Sequence, residues 1–524
     1  MPSRTHRAWQ IALATGLTLS AISLSACVTG TIIVASETAF HVAPDGDDAS
    51  AGTATDPWRT IQHAVDQLSP GQTAYVHEGI YSERIEINVS GDEAAGPVTL
   101  AAAPDEHAIL DGNGLPIPEG DSAMILIENR SHVVVRGLEI RGLRASTPSD
   151  FPAGILIVGS SEDITIDRCV VHDIGSNLPA PDGDGPFANG IAVYGTRTTP
   201  ARDIAITCNE LYDLELGGSE ALVVNGNVDG FEILGNHIHH VNNIAIDCIG
   251  FEGIAPLADV DQARNGLVAG NLIRETSGAG NAYYGTALGA LGIYVDGGRD
   301  ILISGNTVLR TDFGIEVASE HVGRAAAGIT VVSNVIAESR TVGLSIGGWI
   351  EAWGGAEDIV VANNTFVRND TLRDGHGEVA LLRHLEDILF ANNIVVANEG
   401  GPFLLNEAPT GSEVTSHHNL YVSPDGSADG LWIWDGVEFA TFDAYRAASG
   451  QDGSSLVADP AFRDVDALDV RLLPTSPAID AGDNAAVPAV VAIDHAESDR
   501  TVDGDGDGIA TVDLGAFEFE GAAD

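Results

Sequence analysis

Residues 292–321 read GIYVDGGRDILISGNTVLRTDFGIEVASEH. Two G-I-x-V segments, at Gly292–Val295 and Gly314–Val317, bracket a Gly305-Asn306 pair. Apolar residues alternate with small or polar ones around that pair. Such alternation is the pattern of a strand with one buried face. Asp296, Glu316, Glu320 and His321 interrupt it at intervals that do not break the period.

The same unit recurs along the chain. Aligning ITCNELYDL, ILGNHIHHV, VAGNLIRET, ISGNTVLRT, VVSNVIAES, VANNTFVRN and FANNIVVAN places a shared Asn at 209, 236, 271, 306, 334, 363 and 392, and Asn419 adds one more step. The steps are 27, 35, 35, 28, 29, 29 and 27 residues. A second column runs GILIVG, GIAVYG, ALVVNG, NIAIDC, GIYVDG, GIEVAS, GLSIGG and EVALLR. Two or three short strands per repeat, joined by turns, describe an all-β fold: a right-handed parallel β-helix. One coil cannot bury its own apolar face, but stacked coils share a core. Asn side chains stacked along such a solenoid bond one another and the turn backbone, so the Asn column is expected to be structural.

Composition agrees. The chain has 524 residues, 61 Gly, 44% apolar residues and only 6% aromatics. All 24 basic residues are Arg, against 76 acidic residues, for a net charge of −52. That charge excludes nucleic acid as a partner and disfavours acidic glycans unless a cation bridges. Residues 1–27 combine Arg4, Arg7, an apolar stretch near 11–24 and the tetrapeptide Leu24-Ser25-Ala26-Cys27. This reads as an export signal with a lipobox, so the expectation is a lipid on Cys27, membrane contact through that lipid alone, and a surface location. The remaining Cys169, Cys208 and Cys248 form no disulfide framework and read as small buried apolar residues.

Two stretches carry a family resemblance. FHVAPDGDDASAGTATDPWRTIQHAVDQLSPGQTAYVHEGIYSERIEI (40–87) resembles the cap and first coils of secreted β-helix proteins of the pectate-lyase-like superfamily. VADPAFRD (457–464), RLLPTSPAIDAG (471–482) and DLGAFEF (513–519) resemble the C-terminal segment of bacterial surface β-helix proteins. The resemblance implies a signal at 1–27, a linker at 28–39, the solenoid at 40–430 and a capping segment at 431–524. A monomer is expected. The superfamily hosts lyases, hydrolases, epimerases and non-catalytic binders, so reaction type must come from the site.

In each G-I-x-V-z strand the apolar pair points inward and x and z point outward. The z column reads Val158, Tyr194, Asn225, Asp247, Asp296, Ala318, Gly347 and Leu382; the x column reads Leu156, Ala192, Val223, Ala245, Tyr294, Glu316, Ser345 and Ala380. This register makes Asp247 and Asp296 stacked neighbours about 5 Å apart, with Glu316 about 9–10 Å from Asp247. These three are the candidate catalytic acids, since paired carboxylates cleave glycosidic bonds. The substrate expected is a polysaccharide. Tyr194, Asn225, Tyr294, Glu320 and His321 should line the same face. Long insertions between residues 249 and 290 add Glu252, Asp261, Arg264, Tyr283 and Tyr284, and Arg299 follows the Asp296 strand. Lyases of this fold commonly use a Lys or Arg base with calcium on Asp residues. Lys is absent here, so hydrolysis is preferred over a calcium-dependent elimination by Arg264, Arg299, Tyr or His, and a non-catalytic glycan binder is the third reading. His237, His239 and His240 lack a third metal ligand in sequence. In DGDGDGIATVD (503–513), Asp503, Asp505, Asp507 and Asp513 suggest a calcium loop in the tail.

Overall fold

The computed structural model describes Cys27 and residues 39–117, 121–179, 185–407, 413–423 and 429–521. Three parallel sheets of thirteen strands each wrap one interior, as the alternation requires. The first sheet runs from Ala39–Val42 to Val414–His417, the second from Ile85–Ile87 to Val437–Thr441, and the third from Gly79–Tyr81 to Leu456–Val457. Every coil contributes one strand to each sheet. The inward residues of all three form one continuous apolar column, from Val42 and Ile61 to Trp432 and Tyr445.

The glycine that opens each G-I-x-V strand has a steric cause. A Cβ on Gly314 would lie 2.1 Å from the Gly343 carbonyl oxygen, and one on Gly292 2.6 Å from that of Gly314. Successive coils therefore touch backbone to backbone at this corner, and only glycine fits.

The Asn column is a buried hydrogen-bond ladder. Asn306 Oδ1 accepts from both the backbone N–H and Nδ2 of Asn271, each at 2.9 Å, and Asn306 Nδ2 donates to Val268 O and Asn334 Oδ1. The same pattern links Asn209, Asn236, Asn271, Asn306, Asn334, Asn364, Asn393 and Asn419. Asn363 and Asn392, assigned to the ladder above, are not its members. Each sits one residue earlier at positive φ and faces outward, where its amide holds the C-terminal segment through Asp513 O and Asp483 O. In the doubled N-N turns, the Asn next to the following strand is the one that enters the ladder.

Both ends of the solenoid are closed. The helix Ile61–Gln67, capped by the Thr60 side chain, buries Ile61, Ala64 and Val65 over the first coil. At the far end, Asp429–Trp434 continues the second sheet past residue 430 and turns back as the antiparallel strand Val437–Thr441. The helix Phe442–Ser449 follows, and Asp452 gathers Tyr421, Tyr445 and the last ladder residue, Asn419. Residues 458–519 then lie along the outside of the third sheet, packing Val470, Leu472, Leu514 and Ala516 on Val335, Val367, Ile394 and Leu420. Inside this segment, buried Arg500 pairs with Glu518 at 2.9 Å and donates to the Gly515 and Ala516 carbonyls.

Cys169 and Cys248 are buried as expected, but Cys208 is joined to Cys27. A sulfur in that bond has no valence left for a lipid thioether. The structure and the lipidation expectation thus use one atom in two exclusive ways.

Candidate active site

The acids gather on the outer face of the second sheet, in a register two residues from the one expected. Ile246 stacks on Ile293 and Cys248 on Val295, so Asp247 stands beside Tyr294, not beside Asp296. The segment Ile244–Ile249 is apolar at every position but one, so alternation alone left two registers open. The interior takes Ile246 and Cys248, while Ile244 joins an outer cluster with Leu291 and Tyr294. A straight row results: Val223, Asp247, Tyr294, Glu316 and Ser345 on successive strands. Asp247 and Glu316 are two strand steps apart, about 9–10 Å, as expected; Asp247 and Asp296 are diagonal at about 8 Å rather than adjacent at 5 Å. Both acids face outward, as the alternation demands.

Two insertions wall this row. In one, Asp261 accepts the Gly253 and Ala255 amides and is buried as a staple of the loop rather than a substrate group. In the other, Asn281 Nδ2 donates to Gly217 O and Asn242 O, while Asp312 collects the Gly278, Gly289 and Ala290 amides. This second wall holds Tyr283, exposed and in ring contact with Phe187, and Tyr284, which lies near Glu220 and Glu320. Glu320 donates its backbone N–H to Asp296 Oδ1 at 2.8 Å. Glu252, Asp296 and His321 bring ligand atoms within 4.8 Å of one another, and Asn225 Nδ2 reaches Glu252 at 2.8 Å. Tyr194 OH donates to Asn189 Oδ1.

Sequence reasoning missed three members. Glu220, just before the strand Leu222–Gly226, is buried among these acids; Trp349 Nε1 and Ser345 Oγ donate to Glu316 Oε2 at 3.0 and 2.8 Å. Ser345 already stood in the x column, whereas Trp349 enters from a turn that no period marks. Two residues leave the site. Arg264 and Arg299 pair in register on the first sheet, where Asp229 and Asp300 bind them.

Electrostatics follow from burial and from carboxylates set close to one another. Desolvation, then the Glu252 charge, pushes Glu220 up to about 8, and desolvation with Glu220 and Asp296 drives Asp247 well above the ordinary carboxylate range. Burial and the Glu320 charge raise Asp296. Burial raises Glu316 to about 7 against the pull of Trp349 and Ser345. Outside the cleft, burial lifts Glu378 to about 8. Each of these groups binds its proton more tightly folded than unfolded. For the three glutamates that stabilisation is full below about 4.5, their unfolded value, and is lost as pH rises through about 7 to 8; the two aspartates act in the same direction. The melting temperature should therefore fall between pH 5 and pH 8.5, by on the order of 5 °C or more. Thermal melts across that range check it; a rise would contradict the assignment.

The other candidate metal groups are partly rearranged. Asp503 and Asp505 converge, but with Asp480 rather than with Asp507 and Asp513. Asp507 accepts the Ile509 amide, and Asp513 is buried under Asp480 and Phe519. His237 and His239 do find a third partner, Glu210, at 3.4 and 3.2 Å. Arg274 Nε donates to the other nitrogen of His237, so hydrogen bonds already fill that network.

The chain aligns with YwoF of Bacillus subtilis at 36% identity over 439 residues, covering 84% of this chain and 92% of YwoF. It belongs to the YwoF family. Within that family frame, a model of the Pel9A-like right-handed β-helix region matches residues 40–254, and a general right-handed β-helix model matches 153–366. A stretch of 79 residues is 44% identical to pectate lyase PEL9 of Emericella nidulans, covering 15% of this chain and 19% of that enzyme. Among solved structures, pectate lyase Pel9A superposes with a TM-score of 0.45 at 13% identity, covering 92% of this chain and 97% of that one. The lacto-N-biosidase of Eubacterium ramulus gives 0.49 at 14%, covering 74% and 67%. The two family models place the chain among the pectate-lyase-like right-handed β-helices.

Proposed function

We propose that this protein degrades a polysaccharide by glycosidic hydrolysis in the walled acidic cleft of the second sheet. Membership of the pectate-lyase-like superfamily supports a glycan substrate. The observation that carries the reaction type is Glu316: a buried carboxyl, oriented by Ser345 and Trp349 through one oxygen, that keeps its proton up to about pH 7. A proton held at neutral pH is what a general acid needs at a glycosidic oxygen. Asp296 is the second carboxyl: burial and the Glu320 charge raise it, the Glu320 amide on its Oδ1 offsets only part of that rise, and it serves as base once its proton is lost. Its diagonal placement from Glu316, about 8 Å, leaves room for the attacking water and falls in the inverting range. Asp247 and Tyr294 form the floor between the walls. Reducing-end release from a glycan panel by wild type, and its loss in Glu316→Gln, tests this. Turnover equal in both would end it.

A second reading is cation-assisted elimination. The oxygen-rich group of Glu252 and Asp296 with His321 fits calcium in donor type, and calcium there would neutralise a uronate carboxylate. It predicts an unsaturated, ultraviolet-absorbing product that disappears with chelator. Calcium is also proposed in the tail, on Asp480, Asp503 and Asp505, where Asp480 Oδ1 is buried without a hydrogen-bond partner. There it would pin the C-terminal segment. Millimolar calcium should raise the melting temperature of wild type and leave that of Asp480→Asn unchanged. Export by the N-terminal signal is retained as part of the proposal, and the mass of the mature protein distinguishes a lipid on Cys27 from a disulfide.

A further inference from the structure

We infer that the turn between strands Val414–His417 and Leu420–Val422, where the first sheet passes into the third, holds a zinc-class divalent ion on His417, His418 and Asp483. A ligand atom of each of the three lies within 4.8 Å of the others, and all three residues are half-buried. His417 Nδ1 and His418 Nδ1 face each other at 2.9 Å, with the rings nearly perpendicular at 87°. Among the described residues, that contact is the only side-chain hydrogen bond of either ring. Asp483 stands near both rings and bonds to neither; its Oδ1 accepts the Ala485 N–H at 2.9 Å, which fixes the carboxylate and leaves Oδ2. Around a tetrahedral zinc with bonds of about 2.0–2.1 Å, neighbouring ligand atoms stand about 3.3 Å apart. The imidazole pair is already near that spacing, and a bound ion closes the gap to the carboxylate. Two imidazoles and one carboxylate favour zinc over calcium, which takes oxygen ligands.

The repeat explains why these residues meet. His418 occupies the outward place just before the ladder residue Asn419, at φ 50°; Asn363 and Asn392 hold that place in the two preceding coils. There the amides grip the C-terminal segment by hydrogen bonds, Asn392 through both the N–H and the carbonyl of Asp483. The segment thus sets Asp483 one rung from His418. His417 sits where the two preceding coils have Ala362 and Ala391. His239 and His240 make a contrasting pair. Their Nδ1 atoms are 2.8 Å apart, but His239 Nε2 is bonded to Glu210, and among the described residues no converging group of three includes His240. Apart from His418, the charges acting on His417 are those of Asp483 and Asp452, both acidic, which favours a cation. An ion here joins positions 418 and 483 and closes a loop that contains the helix Phe442–Ser449, so it fastens the end cap together with the C-terminal segment. The site lies outside the cleft and does not depend on the reaction assigned there.

The test is zinc titration of the full chain near neutral pH against a chromophoric chelator, with thermal melts beside it. Wild type should take up one equivalent that three conservative variants lose. His417→Ala and His418→Asn install residue types found at these places in the preceding coils, and Asp483→Asn keeps a side-chain oxygen for Ala485. Each should weaken binding by about 100-fold or more, since disturbing even an outer partner of a metal ligand costs about 10–100-fold. Without zinc the variants should melt close to wild type. Zinc at about 100 times its dissociation constant should raise the wild-type midpoint by a few degrees, and theirs far less. Asp480→Asn and His237→Ala should bind as wild type does, which separates this site from the tail acids and from the Glu210 group. No zinc bound to wild type, undiminished affinity in the three variants, or a loss confined to Asp480→Asn or His237→Ala would overturn the inference.

Discussion

Glu316→Gln should lower kcat on the true glycan substrate by about 10³-fold, in the range that losing a general acid removes. Gln keeps the shape and still accepts from Ser345 and Trp349, so the fold and substrate affinity should hold. In wild type the rate should fall on the alkaline side with a limb near pH 7, where Glu316 gives up its proton. The variant's residual rate should lack that limb. Trp349→Phe removes one of the two donors that oppose the rise in the Glu316 value, so the limb should move to higher pH. Initial rates from pH 5 to 9 measure both, and a wild-type profile flat through pH 7 would take the proton from this residue.

Asn306→Ala should cost about 4 kcal/mol. The side chain is fully buried and takes part in four ladder bonds. Its loss strands the Asn271 amide and the Val268 carbonyl in the interior, at about 1–3 kcal/mol for each unsatisfied group. Asn363→Ala should cost far less, since its side chain makes one bond to Asp513 O at the C-terminal segment and accepts one long bond from Asn392 Nδ2. The repeat pattern ranks these two asparagines alike; the ladder separates them. Denaturant melts of both variants provide the comparison, and equal losses would refute the ladder assignment.

The fold was legible because period-two alternation and a recurrent Asn survive any error in register. The face of the site was legible for the same reason: one sheet, outward positions, mid-solenoid acids. What alternation could not resolve was the strand Ile246–Ile249, where a Cys fills an interior place and Ile244 an outer one. That two-residue slip moved Asp247 from the Asn225 column to the Tyr294 row. Had the segment been read two places later, the row Val223, Asp247, Tyr294, Glu316, Ser345 would have been complete. Glu220 and Trp349 lay beyond reach for another reason. They sit before a strand and in a turn, and only the coil-to-coil closure of the insertions brings them to the acids. Arg264 and Arg299 misled because they follow the cleft strands in sequence, whereas the turn between sheets carries them around the corner.

A stack of parallel coils has no intrinsic stopping point: its last rung offers the next molecule the same pattern of amides and carbonyls that its first rung presents. Strand Val437–Thr441 removes that invitation by reversing direction, and the helix Phe442–Ser449 lays Tyr445 and Phe442 across the open apolar bore. Residues 437–449 thus cover the rung on which another copy could stack, and deleting them should expose the solenoid to end-to-end growth.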